Sequence, residues 1–196
     1  MAALMRRGGE VRIVVGLAGS SSPIYGIRTL EVLKAAGVET HLVVSDGAKR
    51  TIPIEARRTV EDIQKLATAV YDNHDLAAAI SSGSFFTDGM IVAPCSMKTL
   101  AAIAHSFSDD LLVRAADVTL KERRKLVLVP RETPLHLGHL RNMMRAAEIG
   151  AVILPPMPAF YHEPKTVDDI INQTIGKILD QFRIEHSLFK RWSGKG

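Results

Sequence analysis

The chain has 196 residues, of which 46% are hydrophobic and 23% charged, and its formal net charge is +4. These values are ordinary for a globular protein, and no apolar run approaches the roughly 20 residues that a membrane-spanning helix needs. The charge is too small to indicate nucleic-acid binding, and a single cysteine, Cys95, excludes an internal disulfide and a cysteine-cluster metal site. We therefore expect a soluble, cytoplasmic protein with no nucleic-acid or membrane partner.

Composition divides the chain into one long domain and two short ends. Residues 1–10 contain Arg6 and Arg7 but no apolar core of signal-peptide length, and we predict a flexible N-terminal arm there. Residues 11–185 are long enough to bury a single hydrophobic core. Residues 186–196 are predicted to form a C-terminal tail.

The most informative stretch is residues 11–28, where an apolar run leads into a Gly/Ser loop and then a helix. Residues 11–17 are mostly β-branched, as in a strand buried on both faces of a parallel sheet. Gly19 and the serines at 20–22 leave N–H groups and hydroxyls free to bind an anion, and Pro23 suits a first helical turn. Because the loop matches neither GxGxxG nor GxxxxGK(S/T), its residues favour phosphate binding and a plain turn about equally.

Further apolar runs alternate with segments of helical periodicity along the rest of the chain. This alternation predicts an α/β fold in which helices cover both faces of a mostly parallel sheet. Strands are predicted at residues 11–17, 40–44, 90–93, 126–129 and 151–154, and helices at 27–36, 60–67, 98–105, 111–122, 137–149 and 167–182.

Small or polar residues follow each predicted strand. Parallel sheets bind ligands at the carboxyl ends of their strands, so these residues are the first candidates for a binding site. They include Ser45 after the second strand, Ser96 and Lys98 after the third, and Arg131 with Glu132 after the fourth.

Four longer stretches make the sequence recognisable. They are SSGSF at residues 81–85, APCSMKTLA at 93–101, RAADVTLKERRKLVLVPRETPL at 114–135 and PPMPAFYH at 155–162. On these stretches the chain resembles the UbiX family of flavin prenyltransferases, over almost its whole length from Val11 to Trp192. The resemblance implies a Rossmann-like (flavodoxin-like) three-layer sandwich, with residues 11–185 as a single flavin-binding domain.

The resemblance also implies a reaction. Such a protein binds reduced FMN and joins the dimethylallyl group of dimethylallyl monophosphate to N5 and C6 of the flavin, giving prenylated FMN and phosphate without a metal. The product is the cofactor of a separate UbiD-type aromatic acid decarboxylase, in ubiquinone synthesis or in phenolic acid breakdown. The implied assembly is a homo-oligomer, commonly a dodecamer.

A set of strand-end residues is implied to bind FMN. By themselves, Ser45 and Ser96 are more typical of helix N-caps, and a cysteine that ends an apolar strand, such as Cys95, is more typical of inert packing. The residues implied to bind FMN are Gly19, Ser20, Ser21, Ser45, Ser96, Met97, Lys98, Thr99 and Arg131.

A second set is implied to bind the dimethylallyl phosphate. Arg114 and Lys121 lie seven residues apart in a predicted helix and therefore share one face. We expect them to converge with Arg131 on a dianionic phosphate, as these positions do in the family. Without the resemblance, the lysine of the last helix would be taken as solvated and the sole tryptophan as an oligomer contact. The implied substrate-binding residues are Arg114, Lys121, Tyr161, Lys177 and Trp192.

Ser21, Glu55 and Glu132 are implied to be the catalytic residues. A carboxylate beside the flavin could move the C6 proton or balance an allyl cation, and the sequence does not separate these two roles. Without the resemblance, Glu55 would be interpreted as a solvated surface residue and Glu132 as one half of an ion pair.

The loop departs from the family pattern. Where the family has TGASGA or TGATGA, this chain has AGSSSP at residues 18–23, so that Ser22 replaces a glycine and Pro23 an alanine. If the glycine position requires a positive φ, Ser22 strains the loop, and either flavin affinity falls or the loop differs slightly from that of the family.

One histidine pair could suggest a metal. His136 and His139 lie three residues apart on a predicted helix, a spacing that two metal ligands can have. Because no third ligand is in view, capping or packing is favoured and no metal site is predicted.

Two other functions stay open from the sequence. One is an FMN-dependent decarboxylase of cysteine-ended substrates, which the cluster of phosphate-directed cations disfavours because such a substrate brings no second phosphate. The other is a non-catalytic flavin-binding subunit of a decarboxylase complex, which predicts stable co-purification with the large subunit.

Overall fold

A computed structural model describes residues 11–194. The predicted arm at residues 1–10 and the last two residues of the predicted tail lie outside this range. Within it, the chain forms one six-stranded sheet with helices on both faces.

The sheet is parallel throughout the described residues. Its strands are β1 (Arg12–Leu17), β2 (Glu39–Val44), β3 (Ala69–Tyr71), β4 (Gly89–Cys95), β5 (Lys125–Pro130) and β6 (Val152–Ile153). They lie in the order β3-β2-β1-β4-β5-β6, which is the order of dinucleotide-binding sheets. The predicted mostly parallel sheet is confirmed.

The direction of strand addition reverses at β1. The chain first builds β2 and β3 on one side of β1, and then crosses to build β4, β5 and β6 on the other. Such a reversal leaves a crevice at the carboxyl ends of the two strands where it occurs. A ligand site is therefore expected beside Leu17 and Cys95, the last residues of β1 and β4.

Helices form the two outer layers. They are α1 (Ile24–Ala35), α2 (Asp46–Ala56), α3 (Val60–Gln64), α4 (Met97–Ala104), α5 (Leu111–Lys121), α6 (Leu137–Glu148) and α7 (Val167–Phe182), with a 3-10 turn at Ala79–Ser81. Because side chains of a strand alternate between faces, Ile13 and Val15 pack with α1 and α7, whereas Val14 packs with α4, α5 and α6. The three-layer α/β sandwich is confirmed. Among residues 11–194, no helix combines the length and apolar character needed to cross a bilayer.

The edge strand β3 does not appear among the predicted strands. It has only three residues, and Val70, its central apolar side chain, is exposed, so it offers no buried apolar run. The strand forms because it pairs with His41, Leu42 and Val43 of β2. Without β3, the remaining order is that of the flavodoxin-like sheets.

Helix α2 is also absent from the predicted elements. Gly47 and Pro53 lie inside it, and both residues usually indicate a turn or a helix end. The helix forms because the Ser45 side chain caps its first turn and because Ala48 and Ile52 are buried beneath it. Its last turn carries Glu55 toward the Gly/Ser loop.

Candidate active site

Backbone hydrogen bonds tie together the loops that follow neighbouring strands. The N–H of Ser45 donates to the carbonyl of Leu17 (3.0 Å), joining the ends of β2 and β1. The N–H of Arg131 donates to the carbonyl of Cys95 (3.3 Å), joining the ends of β5 and β4. The polar residues predicted at these strand ends are therefore held along one edge of the sheet.

Gly19 and Gly47 bring two of these loops into backbone contact. A Cβ atom on Gly19 would lie 2.6 Å from Cα of Gly47, and one on Gly47 would lie 2.9 Å from Cα of Gly19. Cβ atoms do not approach backbone atoms that closely, so only glycine fits at both positions. The predicted anion-binding loop thus rests directly on the first turn of α2.

The serine loop is held by hydrogen bonds from three successive residues. The Ser20 hydroxyl donates to the carbonyl of Arg131 (2.8 Å). The Ser21 hydroxyl (3.0 Å) and the Ser22 N–H (2.7 Å) both donate to Oε2 of Glu55. Two of the three predicted catalytic residues, Ser21 and Glu55, are therefore in direct contact. Glu55 is exposed, yet it is fixed to the loop rather than free in solvent.

Ser22 adopts the strained conformation that its replacement of a glycine suggested. Its φ is +69°, in the left-handed region that favours glycine, and Pro23 follows at the position before the first residue of α1. The short contact from the Ser22 N–H to Glu55 helps to hold the backbone there. The condition stated from the sequence, a positive φ at this position, is therefore met.

Ser45 and Ser96 are helix N-caps, as their residue type alone indicated. Oγ of Ser45 accepts from the N–H of Ala48 (3.2 Å), and Oγ of Ser96 accepts from the N–H of Thr99 (3.2 Å) and donates to its hydroxyl (3.0 Å). Two helix N-termini, those of α2 and α4, therefore meet the edge where the loops gather, which favours a bound anion. The next residues of α4 are a half-buried methionine and an exposed lysine, Met97 and Lys98.

Arg131 and Glu132 follow β5 at the same edge. Glu132 is exposed, and its Oε1 accepts from the N–H of Thr133 (3.0 Å) rather than from a cation. Sequence reasoning missed Tyr25, which lies in the first turn of α1. Burial raises the pKa of the Tyr25 hydroxyl, and the positive charge of nearby Arg131 opposes that shift. The available signal was an aromatic residue directly after the loop.

The predicted convergence of Arg114 and Lys121 with Arg131 does not occur within one chain. Lys121 ends α5 just before β5 begins, whereas Arg131 follows the last residue of β5. A strand of six residues separates the two by about 17–20 Å, so that Lys121 lies at the amino end and Arg131 at the carboxyl end of the parallel strands. Helix spacing placed Arg114 and Lys121 on one face correctly, but that face does not point to Arg131.

Arg114 and Lys121 instead flank the SSGSF stretch. Nε of Arg114 donates to the carbonyl of Ser81 (3.1 Å), and its Nη1 bonds Asp117 (2.8 Å). Lys121 forms an ion pair with Glu122, and its ammonium lies against Gly83. We call Arg114, Lys121 and residues 81–84 the α5 patch.

The three remaining substrate-binding candidates lie on or beside α7, in a separate cluster. The rings of Tyr161 and Trp192 meet edge to face, with centroids 6.5 Å apart. Nε2 of Gln173 donates weakly to the Tyr161 hydroxyl (3.4 Å), and Lys177 lies one turn further along the same face of α7. We call Tyr161, Lys177 and Trp192 the α7 cluster. None of its described hydrogen bonds or ion pairs reaches the serine loop.

The cysteine and histidine residues take structural positions. Cys95 is fully buried, and burial raises the pKa of its thiol to about 12, which leaves it unreactive. Nδ1 of His136 accepts from the N–H of Gly138 (3.0 Å), so His136 caps α6 while its ring stacks on His139. Across residues 11–194, no three His, Cys, Asp or Glu side chains come together as a metal site would require.

Comparison with known proteins gives one consistent result. The model of the Flavoprotein family matches residues 2–180. The flavin prenyltransferase UbiX of Thauera aromatica is 63% identical over 94% of this chain and 95% of its own length.

Two solved structures have the same fold at high identity. AnUbiX (PadA1), solved in complex with FMN and dimethylallyl pyrophosphate, superposes with a TM-score of 0.93 at 50% identity, covering 96% of this chain and all (100%) of its own. A dodecameric FMN-dependent UbiX-like decarboxylase from Escherichia coli O157:H7 gives 0.91 at 50% identity, covering 94% and 100%. With the resemblance spanning sheet, loops and tail alike, the chain belongs to the UbiX family of flavin prenyltransferases.

Proposed function

We propose that this protein transfers the dimethylallyl group of dimethylallyl monophosphate to N5 and C6 of reduced FMN, releasing phosphate and prenylated FMN. The observation that carries the proposal is the gathering of the serine loop, two capped helix N-termini and Arg131 at the reversal point of the sheet. The FMN and dimethylallyl pyrophosphate bound by AnUbiX support the choice of ligands. We assign the flavin-binding domain to residues 11–185 and the tail to residues 186–196.

The residues at this edge fit an FMN phosphate. A carboxylate, Glu55, already accepts from the Ser22 N–H, so the loop has the donor geometry that an anion needs. Reduced flavin, when bound, supplies the nucleophilic atoms N5 and C6. The residues that would hold it are Gly19, Ser20, Ser21, Ser45, Ser96, Met97, Lys98, Thr99 and Arg131.

The second phosphate needs cations, because breaking an allylic C–O bond leaves negative charge on the departing phosphate. Fixed cations and hydroxyl donors can stabilise that charge without a metal. In our proposal this inventory is Ser21, Arg114, Lys121, Arg131, Tyr161 and Lys177, with Trp192 closing the site.

These residues lie on three separate surfaces of one chain, so we infer that a homo-oligomer assembles the site. We call the serine loop together with Ser45, Ser96 and Arg131 the loop edge. The α5 patch of one copy would then complete the loop edge of another. Helix α6 supports association, because Leu137 and Met144, 59% and 58% exposed, lie on one face with Leu140. The dodecameric relative supports a dodecamer.

The catalytic residues divide between two tasks. Glu132 is exposed and, within residues 11–194, forms no ion pair, so it can accept the C6 proton as the second bond forms. Glu55 holds Ser21 and the loop in place. We propose a UbiD-type decarboxylase in the cytoplasm as the recipient of the product.

The test is to incubate the purified protein with reduced FMN and dimethylallyl monophosphate, with and without a chelator. We expect a flavin whose mass has increased by one dimethylallyl group, and the same yield with the chelator. An arm with dimethylallyl pyrophosphate identifies the preferred donor. Unchanged flavin in both donor arms, or turnover of a cysteine-ended peptide instead, would refute the proposal.

A further inference from the structure

The C-terminal segment, residues 184–194, is fastened to α7 by one carboxylate. Oδ1 and Oδ2 of Asp180 accept from both terminal nitrogens of Arg191 (2.6 and 3.1 Å). Nε2 of His186, whose side chain is only 3% exposed, lies 3.2 Å from Oδ1 of Asp180. The hydrogen bonds from Arg191 hold the pKa of Asp180 below its usual range, so the carboxylate is charged at neutral pH.

The ring of His186 has a defined orientation. Its Nδ1 accepts from the N–H of Leu188 (3.3 Å), which leaves Nε2 to donate to Asp180. The segment is therefore held by two of its residues, His186 and Arg191, on the same carboxylate.

A second, independent feature fits the segment to α7. A Cβ atom on Gly176 would lie 2.4 Å from the ring of Phe189 and 2.6 Å from the ring of His186. The glycine thus leaves the space into which both rings of the segment pack. Phe189 also meets His162 edge to face, with centroids 6.3 Å apart, beside Tyr161.

Lys177 shares the same carboxylate but is held least. Its Nζ lies 3.8 Å from Oδ2 of Asp180, beyond hydrogen-bond distance, and its side chain is 50% exposed. Arg191 already occupies both oxygens of Asp180. The ion pair with Arg191 thus leaves the lysine available to a ligand.

We propose that Asp180 is a positioning residue for the α7 cluster. By engaging Arg191 and His186 it docks the C-terminal segment, sets Trp192 against Tyr161 and leaves Lys177 free for the substrate phosphate. This inference rests on the proposed function, in which the α7 cluster binds the dimethylallyl phosphate. Asp180 itself touches no substrate.

The decisive variants act on the contact between Asp180 and Arg191, which we call the latch, in two different ways. Arg191→Ala removes the competing cation, so Lys177 should collapse onto Asp180 while the segment loosens. We expect the KM for dimethylallyl monophosphate to rise about tenfold or more, with FMN affinity unchanged. Asp180→Asn combined with Arg191→Ala releases Lys177 again and should recover part of that loss.

Two further variants separate positioning from damage to the fold. Gly176→Ala keeps every charge and suits a helix, yet it displaces Phe189 and His186, so it should also raise KM. Asp168→Asn is the matched control, because it removes a carboxylate from the same helix that pairs with Arg28 and not with the segment. It should leave KM unchanged.

Docking is measured without substrate through Trp192, the only tryptophan of the chain. Its fluorescence anisotropy should fall in Arg191→Ala and Gly176→Ala but not in Asp168→Asn. Unchanged anisotropy, or lowered anisotropy with an unchanged KM, overturns the inference, as does a double variant no better than Arg191→Ala. If the wild type makes no prenylated FMN, the proposed function fails. The anisotropy of the variants would still test whether the latch docks the C-terminal segment.

Discussion

The loop edge and the α5 patch carry equally polar residues, but they are built in different ways. At the loop edge, the loops that follow four strands are joined by backbone hydrogen bonds and by the contact of the Ser20 hydroxyl with the carbonyl of Arg131. In the α5 patch, Arg114 and Lys121 are each neutralised by a neighbour on their own helix or next to it, Asp117 and Glu122. The first region joins several strand ends, whereas the cations of the second, among residues 11–194, pair only with carboxylates next to them and reach no residue of the serine loop.

The largest expected effect tests whether the second region serves another copy. Ser21→Ala damages the loop edge and Lys121→Ala damages the α5 patch, so homogeneous oligomers of either variant should be nearly inactive. Co-assembled oligomers should regain activity, because random mixing gives roughly a quarter of the shared sites two intact surfaces. The measurement is the yield of prenylated FMN from co-expressed, differently tagged chains. If mixed oligomers stay as inactive as their parents, the site lies within one chain.

The next effect distinguishes the two phosphates. Lys121→Ala should lower the rate of prenylation by about 10²–10³-fold, because a fixed cation that stabilises the leaving phosphate is lost. FMN affinity, measured by flavin fluorescence titration, should change little. Lys125→Ala, which removes an exposed lysine four residues on, is the control and should be active. Loss of FMN as the main defect of Lys121→Ala would reverse the assignment.

A smaller effect is expected at the loop edge from Glu132→Gln. The amide keeps the size of the side chain but cannot take a proton, so formation of the complete four-ring product should slow. Phosphate release should continue, because the departing group does not depend on Glu132. Rapid mixing with reduced FMN can follow phosphate and product separately. Equal slowing of both would contradict a role in the C6 proton transfer.

The smallest effect concerns Ser22. Ser22→Gly relieves a left-handed φ at a position where the N–H, not the side chain, contacts Glu55. FMN should bind as well as in the wild type or up to about fivefold tighter, since the strain is on the order of 1 kcal/mol. Equilibrium titration measures this, with Ser22→Ala as the control that keeps the strain. Clearly weaker binding by the glycine variant would make the hydroxyl a ligand.

Features of the site that depend on local sequence could be predicted, whereas those that depend on tertiary contacts could not. The strand at residues 11–17 and the loop after it were predictable because apolar periodicity and turn residues are local signals. The positive φ of Ser22 was predictable from a glycine pattern, again a local property. The contact between Ser21 and Glu55 was not, because it depends on α2, a helix that its internal Pro53 conceals.

Lys121 illustrates a signal that was present but not used. A spacing of seven shows that two residues share a helix face, but it does not show at which end of the sheet that helix stops. Lys121 precedes a strand and Arg131 follows it, which in a parallel sheet puts them at opposite ends of the strands. Gly176 and Asp180 were missed for another reason, since their contacts depend on how residues 184–194 fold back onto α7.

The glycine contact between the first two loops has a consequence for the loop edge. Where Gly19 meets Gly47, the backbone of one loop contacts the backbone of the other. A methyl group added at either glycine would therefore clash, and no smaller residue at the other position could make room for it. The serine loop and the first turn of α2 therefore pack directly against each other at this point. We expect any side chain at either glycine to push the serine loop away from the first turn of α2 and so to disturb the edge that binds the flavin phosphate.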